Sequence, residues 1–464
     1  MINSKFKIFF GLFLSIFLIN SYSIANEEFN FDVTEVEIKE DGNRFYGKKG
    51  GIATTPDGLY IEGEEFDYDK LSNILIITGK IKFDDKKDNF QIFSDKATYL
   101  KNNERVLTEG NSKAVNDVDN IYLEADKFDY NKLSNILIIN GKVKFDDKTE
   151  KIQIFSDKAT YLKNKEIIYT EGNSKAVNEN GLVITADKLI HNKSLNTFEA
   201  IGNVKIVDPI KDYIIYAEKI NYKKNEEKII TFGQSEAFIE SKYNFKSNDL
   251  IFYRNKMEMM SNKYSTINDD NSTLYELAKF KYYLNDKVLK GEKVYVTTNI
   301  NNDKSDKFFF KNIFTNFKTK SFKASNTKIL FHKNIFDKER KKFIDLENAK
   351  LNELFEDYYD ENNPRLYGVS SSGDKDKTVV NKGVFTSCNS KDKSPAWCME
   401  AKKITHDKNK RQVIYKDTVL KMYDFPVFYF PKFFHPDPSV KRQSGFLKPQ
   451  LNESETLGSS FYLP

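Results

Sequence analysis

The stretch FDYDKLSNILIITGKIKFDD, which begins at Phe66, is written again as FDYNKLSNILIINGKVKFDD from Phe128. Between Phe66–Asn116 and Phe128–Asn178, 40 of 51 positions are identical. A finer period runs inside this copy. Glycines stand at Gly79, Gly110, Gly141, Gly172, Gly202 and Gly233, in steps of 31, 31, 31, 30 and 31. An acid precedes each by 15 residues, at Glu64, Asp95, Asp126, Asp157, Asp187 and Glu218, and Asp249 continues the series. Four residues after each acid comes a ring: Tyr68, Tyr99, Tyr130, Tyr161, His191, Tyr222 and Tyr253. A period held over so many units marks a stacked architecture, in which each unit covers the apolar face of its neighbour.

The units are β-structure. GKIKFDD and GKVKFDD alternate lysine with Ile, Val or Phe, the period-2 pattern of a half-buried strand. NILIITG and FQIFSD are short runs rich in β-formers. Asp84-Asp85, Asp146-Asp147 and Asn180-Gly181 read as turns. Each 31-residue unit therefore supplies two strands and two turns, and copying units lengthens a β-stack around an apolar strip. The acid-x-x-x-Tyr series is expected to fix turns and cap strand ends. The glycines are expected at bulges or at left-handed turn positions, and His191 is expected to pack as a ring in a tyrosine slot. Paired aspartates raise the possibility of calcium, but the glycine-rich nonapeptide of calcium-binding β-rolls is absent.

Past Tyr253 the rhythm fades, although AKFKYYLNDKVLKGEKVYV and KFFFKNIFTNFKTKSFKASNTKILF still alternate as strands. FDKERKKFIDLENAKLNELFEDYYDENNP changes character. Phe336, Phe343, Leu346, Leu354 and Tyr358 recur at helical spacing, which predicts one amphipathic helix over about 335–360, inserted between strands and ended before Pro364. VSSSGDKDKT, 369–378, reads as a loop.

The first 25 residues carry Lys5 and Lys7, an apolar run from Ile8 to Ile19, and the small residues Ser23 and Ala25. This is the pattern of a secretory signal peptide cut after Ala25. No later segment has the ~20 apolar residues of a spanning helix. Charged residues make up 30% of the chain yet sum to only +5, too balanced for a nucleic-acid-binding face. Cys388 and Cys398 are the only cysteines, and export favours a disulfide, either between them or to residues outside this chain. Their spacing is not a metal signature, and the four histidines (191, 332, 406, 435) show no ligand spacing. Nucleophile elbow, P-loop and dinucleotide fingerprints are absent. Paired carboxylates for glycoside hydrolysis remain a rival, but the acids keep the phase of the repeat, as structural positions do.

DFPVFYFPKFFHPDPSVKRQSGFLKPQL, 424–451, holds Pro426, Pro431, Pro436, Pro438 and Pro449, half of the chain's ten prolines. Each removes a backbone donor, which argues against a central strand and for an extended, irregular connection. With TSC at 386–388, Trp397 and AKKITHD at 401–407, this run closely resembles the lipopolysaccharide-assembly outer-membrane protein family LptD, also called organic solvent tolerance protein or OstA. The likeness is dense over 384–464. Over 60–255 it is looser, carried by period and by the acid, tyrosine and glycine positions, and it is least over 256–383.

The resemblance implies an all-β chain: a signal peptide (1–25), an N-terminal extension (26–59), an elongated OstA-like open β-jellyroll of ~31-residue repeats (60–255), further strands with the helical insertion (256–383), and a Pro-rich segment leading to an outer-membrane β-barrel (384–464). It implies lipopolysaccharide transport without catalysis or a cofactor. Acyl chains would slide along an apolar groove, and strand alternation places Ile81, Phe83, Val143, Phe145, Val204 and Ile206 toward it. Lysines near the groove mouth would meet the lipid's phosphates. It implies a periplasmic bridge protein paired at the sheet edge and a lipoprotein plugging the barrel. The residues matching the family's motif are Trp397, Pro426, Pro431, His435, Pro436, Pro438, Arg442, Gly445, Pro449 and Pro464. Pro464, in SFYLP, matches a proline at the barrel's lateral gate, so the barrel strands are expected beyond this sequence. Cys388 matches the family's TSC position, while Cys398 departs from its pattern, leaving a local and a long-range disulfide equally open. The alternatives are a soluble bridge protein of the same pathway, similar to LptA, and a β-stacked polysaccharide-active enzyme.

Overall fold

The structure, a computed structural model, describes residues 29–298, 300, 306–330, 364–388, 395–437, 450–454 and 458–462. The expected signal peptide, the helix about 335–360, and Pro438, Arg442, Gly445, Pro449 and Pro464 lie outside these residues. The chain is all-β and divides into two units, Met1–Asn164 and Lys165–Pro464.

The first unit is an antiparallel meander. Its strands are β1 (Asn30–Lys39), β2 (Arg44–Thr54), β3 (Leu59–Gly63), β4 (Glu65–Asp69), β5 (Ile74–Asp85), β6 (Phe90–Leu100), β7 (Arg105–Glu109), β8 (Ser112–Asn116), β9 (Ile121–Ala125), β10 (Lys127–Asn131), β11 (Ile136–Asp147) and β12 (Ile152–Leu162). The repeat's glycines and acids fall in the middle of these crossings. β5 pairs with β6 as Thr78↔Lys96 and then Ile81↔Ser94, so Gly79 and Lys80 together oppose Asp95. Gly141 and Lys142 likewise oppose Asp157. Each is a β-bulge, two residues against one, which bends the strand and raises its twist. Where a crossing is split, as between β9 and β10, the gap falls on the acid: Asp126 N donates to Gly141 O (3.0 Å), and Gly110 N donates to Asp126 O (3.0 Å). A column of alternating acids and left-handed glycines thus runs across the sheet. Glu64, Asp126, Asp187 and Asp249 stand at the breaks between strands, as expected of strand-end positions, whereas Asp95, Asp157 and Glu218 lie inside strands.

The tyrosines secure the turns. Tyr68 donates to Asn73 (2.9 Å), Tyr99 to Glu104 (2.6 Å) and Tyr130 to Asn135 (3.2 Å), in each case the residue five further on. Those three turn residues have φ of 47–55°.

The column of bends folds the meander into two leaves. Phe83 lies opposite Ile92, and Tyr99 is seven residues beyond Ile92, about 23 Å along an extended strand. The Phe83 and Tyr99 rings nevertheless meet edge-on at 5.5 Å. Phe145 and Tyr161 repeat the contact at 5.8 Å. One leaf carries the repeat's tyrosines and the other carries Phe83 and Phe145; the core lies between them.

The second unit repeats this plan. Thr197–Asp208 and Tyr213–Lys223 pair with Gly202 and Asn203 opposing Glu218. Tyr213 meets Phe252 at 4.8 Å across the leaves. Where the sequence rhythm fades, the ladders still skip at Lys293, Asn326, Lys382 and Asp417, all with φ between 47° and 50°, but here equal numbers of residues face each other and the register does not shift. Asn, Asp and, at some cost, Lys tolerate the left-handed region, so the break in the ladder persists after its glycine signature is lost. The stretch 369–378, expected to be a loop, is instead a hairpin: it holds the end of the strand Arg365–Gly373, a turn at 374–376 and the start of the strand Lys377–Thr386.

The Pro-rich run differs from expectation. Phe425–Pro436 is a regular strand, paired among the described residues only with Gln412–Met422. An edge strand tolerates proline, because its outward N–H groups have no ladder partner to lose. Pro431 falls at the ladder skip opposite Asp417, and Pro426 and Pro436 lie near the strand ends.

The bends yield a stability prediction. Gly141 and Gly233 share φ values of +77° and +76°, but a Cβ on Gly141 would overlap the Asp126 carboxylate, whereas one on Gly233 meets nothing within 4 Å. Gly233→Ala is expected to cost about 1 kcal/mol and Gly141→Ala about 2–3 kcal/mol in urea unfolding. Equal costs at the two sites would remove the acid from its place in the bend.

Candidate functional site

The interior between the leaves is lined as strand alternation dictates. Ile81, Phe83, Val143, Phe145, Val204 and Ile206 all point inward, and none is more than 3% exposed. In the first unit they face Leu75, Ile77, Tyr99, Leu137 and Tyr161, which are equally buried. The space is filled by the chain's own side chains. His191 is 4% exposed and packs 5.7 Å from Phe198, as a ring in the tyrosine position.

At the rim opposite the bends, the turns of the two leaves come together, and charged side chains cross between them. In the first unit, Lys132 on the tyrosine leaf reaches Asp85 (3.3 Å) and Asp57 (3.5 Å) on the other leaf, and Glu104 (3.4 Å) on its own. Lys163 donates to the backbone carbonyl of Asp88 (2.6 Å) and lies 4.0 Å from its carboxylate. Tyr130 also reaches Asp88 (3.5 Å), and its ring meets Phe90 at 5.0 Å. In the second unit, Arg254 spends nearly all its donors: Nη2 on Asp208 (3.0 Å), Nη1 on Glu227 (2.7 Å) and Tyr222 (3.0 Å), and Nε on Tyr213 (2.8 Å). Lys211 returns across the rim to the carbonyl of Arg254 (3.0 Å), and Lys287 pairs with Glu240 (2.6 Å). In the ion pairs that cross, the cation comes from the tyrosine leaf and the carboxylate from the other.

Local backbone geometry sets these cations in place. Lys101 N donates to Asn73 O, Lys132 N to Glu104 O, Lys163 N to Asn135 O and Arg254 N to Glu227 O, at 2.8–3.1 Å. Each acceptor is the left-handed residue of the preceding turn. On the other leaf, Asp85 and Asp208 are the last inward-facing residues of their strands, after Ile81 and Phe83 and after Val204 and Ile206. The alternation that builds the apolar lining thus ends on a carboxylate at the rim.

Burial at the rim sets the electrostatics. Burial alone would lower the pKa of Lys132, but Asp85, Glu104 and Asp57 outweigh it and hold the ammonium above its usual range. At Lys163 burial wins over Asp88, and the pKa is lowered. For Asp208, burial is overcome by the Lys211 N–H and by Arg254, and the carboxyl is held below its usual range.

The sequence contains a signal for this rim that the repeat analysis passes over. Lysines follow the first six rings by two residues, at Lys70, Lys101, Lys132, Lys163, Lys193 and Lys224, in the same 31-residue phase, and Arg254 follows Tyr253 directly. Reading the acid, tyrosine and glycine alone leaves them as solvated strand-end charges.

The family-motif residues within the described chain gather in the second unit. Trp397 is 7% exposed, its N–H directed at the Cys388 sulfur (3.4 Å) and its carbonyl accepting from Thr386 (2.7 Å). Cys388 and Cys398 are both free thiols, and burial pushes Cys398 up to about 11, leaving it protonated at neutral pH. His435 bonds Tyr415 (2.7 Å) and the Pro436 carbonyl (2.6 Å), and His406 bonds Asp437. Pro426 and Pro431 are exposed on the edge strand. Elsewhere, Lys279, Lys290, Phe314 and Lys323 help line an open concavity of about 570 Å³. Among the described residues no cluster of His, Cys, Asp or Glu could hold a metal ion.

No family model matches the sequence, and no curated protein is similar to it. Among solved structures, the chain is similar to the crystal structure of LptH, the LptA homologous periplasmic component of the conserved lipopolysaccharide transport device from Pseudomonas aeruginosa. That similarity covers 22% of this chain and 76% of the other, at 15% identity and a TM-score of 0.21.

Proposed function

We propose that this chain is the periplasmic portion of an outer-membrane lipopolysaccharide translocon, a transport component without a catalytic role. The acyl chains travel in the interior between the leaves, and the segment 384–464 leads toward a β-barrel closed by a lipoprotein plug. The observation that carries this reading is the lining itself. Every second 31-residue repeat of the first unit presents a β-branched–Phe pair, Ile81 with Phe83 and then Val143 with Phe145, to the same interior. Added repeats lengthen an apolar strip and leave its cross-section unchanged.

A bridge protein reaches this strip through β1. Among the described residues β1 pairs only with β2, and it exposes Val36 (55%) and Ile38 (64%) along an unpaired edge suited to strand addition. A soluble bridge of the LptA kind is the second reading, and it needs pairable edges at both ends. Pro426, Pro431 and Pro436 blunt the edge at Phe425–Pro436, which favours the translocon reading. Cys388 and Cys398, free thiols in this structure, are proposed to be oxidised to disulfides after export, with one another or over a longer range.

The test is a photoreactive residue at Phe83 or Phe145 in living cells. Labelled lipopolysaccharide is the expected product. Absence of labelling at both positions in folded, exported protein would overturn the assignment of the interior.

A further inference from the structure

The cations that close the rim also offer a binding site. We propose that the tyrosine-leaf cations Lys132 and Lys163 are phosphate receptors, held in the lipid-free protein by the carboxylates Asp57, Asp85 and Asp88. A phosphorylated, multiply acylated amphiphile opens the rim by exchanging its phosphates for those carboxylates. The proposal rests on the interior taking acyl chains.

The first argument is geometric. The interior is filled and the rim is bridged, so an acyl chain enters from the side only if the leaves part at the rim. Parting them breaks Lys132–Asp85, Lys132–Asp57 and the Lys163 contacts with Asp88, which strips the 12% exposed Lys163 ammonium of its carboxylate and leaves the 11% exposed Lys132 with Glu104 alone. A buried charge stripped of its partner is costly. An uncharged amphiphile leaves that cost unmet, whereas a phosphate restores a charge-assisted bond to each ammonium.

The second argument is polarity. The cross-rim pairs place the cation on the tyrosine leaf and the carboxylate on the other: Lys132 with Asp57 and Asp85, Lys163 with Asp88, and, in the second unit, Arg254 with Asp208 and Lys287 with Glu240. Once the rim opens, the cations of these pairs, with Glu104 beside Lys132, stand on one lip, and their carboxylates, with the exposed Lys86 and Lys87 between Asp85 and Asp88, stand on the other. An anionic headgroup is drawn to the cations of the first and repelled by the carboxylates of the second, which fixes the side of the cleft on which it sits.

The third argument is spacing. Lys132 and Lys163 are one 31-residue step apart, which is two strands, or about 10 Å across the sheet. Two phosphates on one headgroup can engage successive cations. Asp57 and Asp88 are also one step apart, so each cation meets its carboxylate 75 residues earlier in the chain. The exchange therefore repeats along the rim.

The experiment measures equilibrium binding to the full chain of three probes: a diphosphorylated acylated glucosamine disaccharide, its dephosphorylated counterpart, and inorganic phosphate. Lys132→Gln with Lys163→Gln is expected to weaken the diphosphorylated amphiphile by about tenfold or more and to leave the dephosphorylated one unchanged. Asp85→Asn with Asp88→Asn is expected to act in the opposite direction and tighten the diphosphorylated amphiphile several-fold, because the competing anions are gone. If Asp85→Asn does not fold, Asp57→Asn, at a carboxylate that is 45% exposed, carries the same expected sign. Lysine and aspartate variants that shift both amphiphiles in the same direction assign the rim a structural role only and overturn the proposal. Inorganic phosphate binding as tightly as the amphiphile also overturns it. If the dephosphorylated amphiphile binds wild type and the lysine variant equally and the phosphates add nothing, the interior stands as an acyl site and the phosphate exchange falls. If wild type binds neither amphiphile, the transport reading falls with it.

Discussion

Asp208→Asn will lower the unfolding free energy of the protein by about 1.5–3 kcal/mol, the worth of a buried charge-assisted bond to a guanidinium that keeps Glu227 as its remaining carboxylate. The side chains of Arg254 and Asp208 are only 6% and 3% exposed, and Arg254 has no other carboxylate on the opposite leaf. Arg254→Met alone should cost a similar amount. Arg254→Met with Asp208→Leu should recover most of the loss, because two apolar groups of similar volume need no partner. Urea unfolding of the single and double variants checks this, and costs that simply add would show that the two residues act independently. The pair also makes stability depend on pH. The folded carboxyl of Asp208 is held below its usual range, so the unfolded chain takes up the proton first as pH falls. The contribution is fully present above the unfolded value, about 3.9, and is lost as pH falls through the depressed folded value. Asp208→Asn should therefore flatten the acid limb of the stability curve as well as lower its plateau.

Phe83→Lys will be more severe still. Phe83 is 3% exposed and holds the two leaves together through the Tyr99 ring. Truncating a buried phenylalanine costs about 3–5 kcal/mol, and the lysine adds an unpaired charge in an apolar interior. Loss of the cooperative transition is the expected result. Phe83→Leu keeps the volume nearly filled and should cost less than about 2 kcal/mol. A soluble, fully folded Phe83→Lys would mean that the interior opens to water readily. The difference between these variants matters for assays of transport, since a charged residue in the lining removes the fold together with the function, while leucine probes the lining alone.

How much of this was legible beforehand follows from what each signal encodes. Alternation gave the strands and the inward direction of Ile81, Phe83, Val143, Phe145, Val204 and Ile206, because a period of two fixes which residues share a face. It could not give the folding of the sheet into leaves. That depends on two residues opposing one at Gly79 and Gly141, a mismatch between strands that no single strand displays. The acids were expected to fix turns and cap strand ends because acid and turn so often coincide; Glu64, Asp126, Asp187 and Asp249 do stand at breaks between strands, but the turn is held by the tyrosine, five residues before its acceptor. Lys132 and Asp85 are 47 residues apart and Lys132 and Asp57 are 75 apart, so their meeting becomes visible only when the leaves face each other. The proline run was expected to be irregular on the general rule against proline in sheets. The rule concerns central strands, and Phe425–Pro436 lies at an edge.

The bulged column has a last consequence, for how such a chain can change size. Chain direction, leaf and inward parity all return together only after two crossings, that is, after 31 residues. Insertion of one crossing would reverse the strand direction and bring acids to the lip that carries cations. Growth is therefore quantised: permissible lengths differ by about 10 Å, the width of two strands, and a 62-residue copy adds about 19 Å. A lineage that copies whole steps lengthens the apolar strip with every existing contact intact, so gene duplication changes its length in discrete increments.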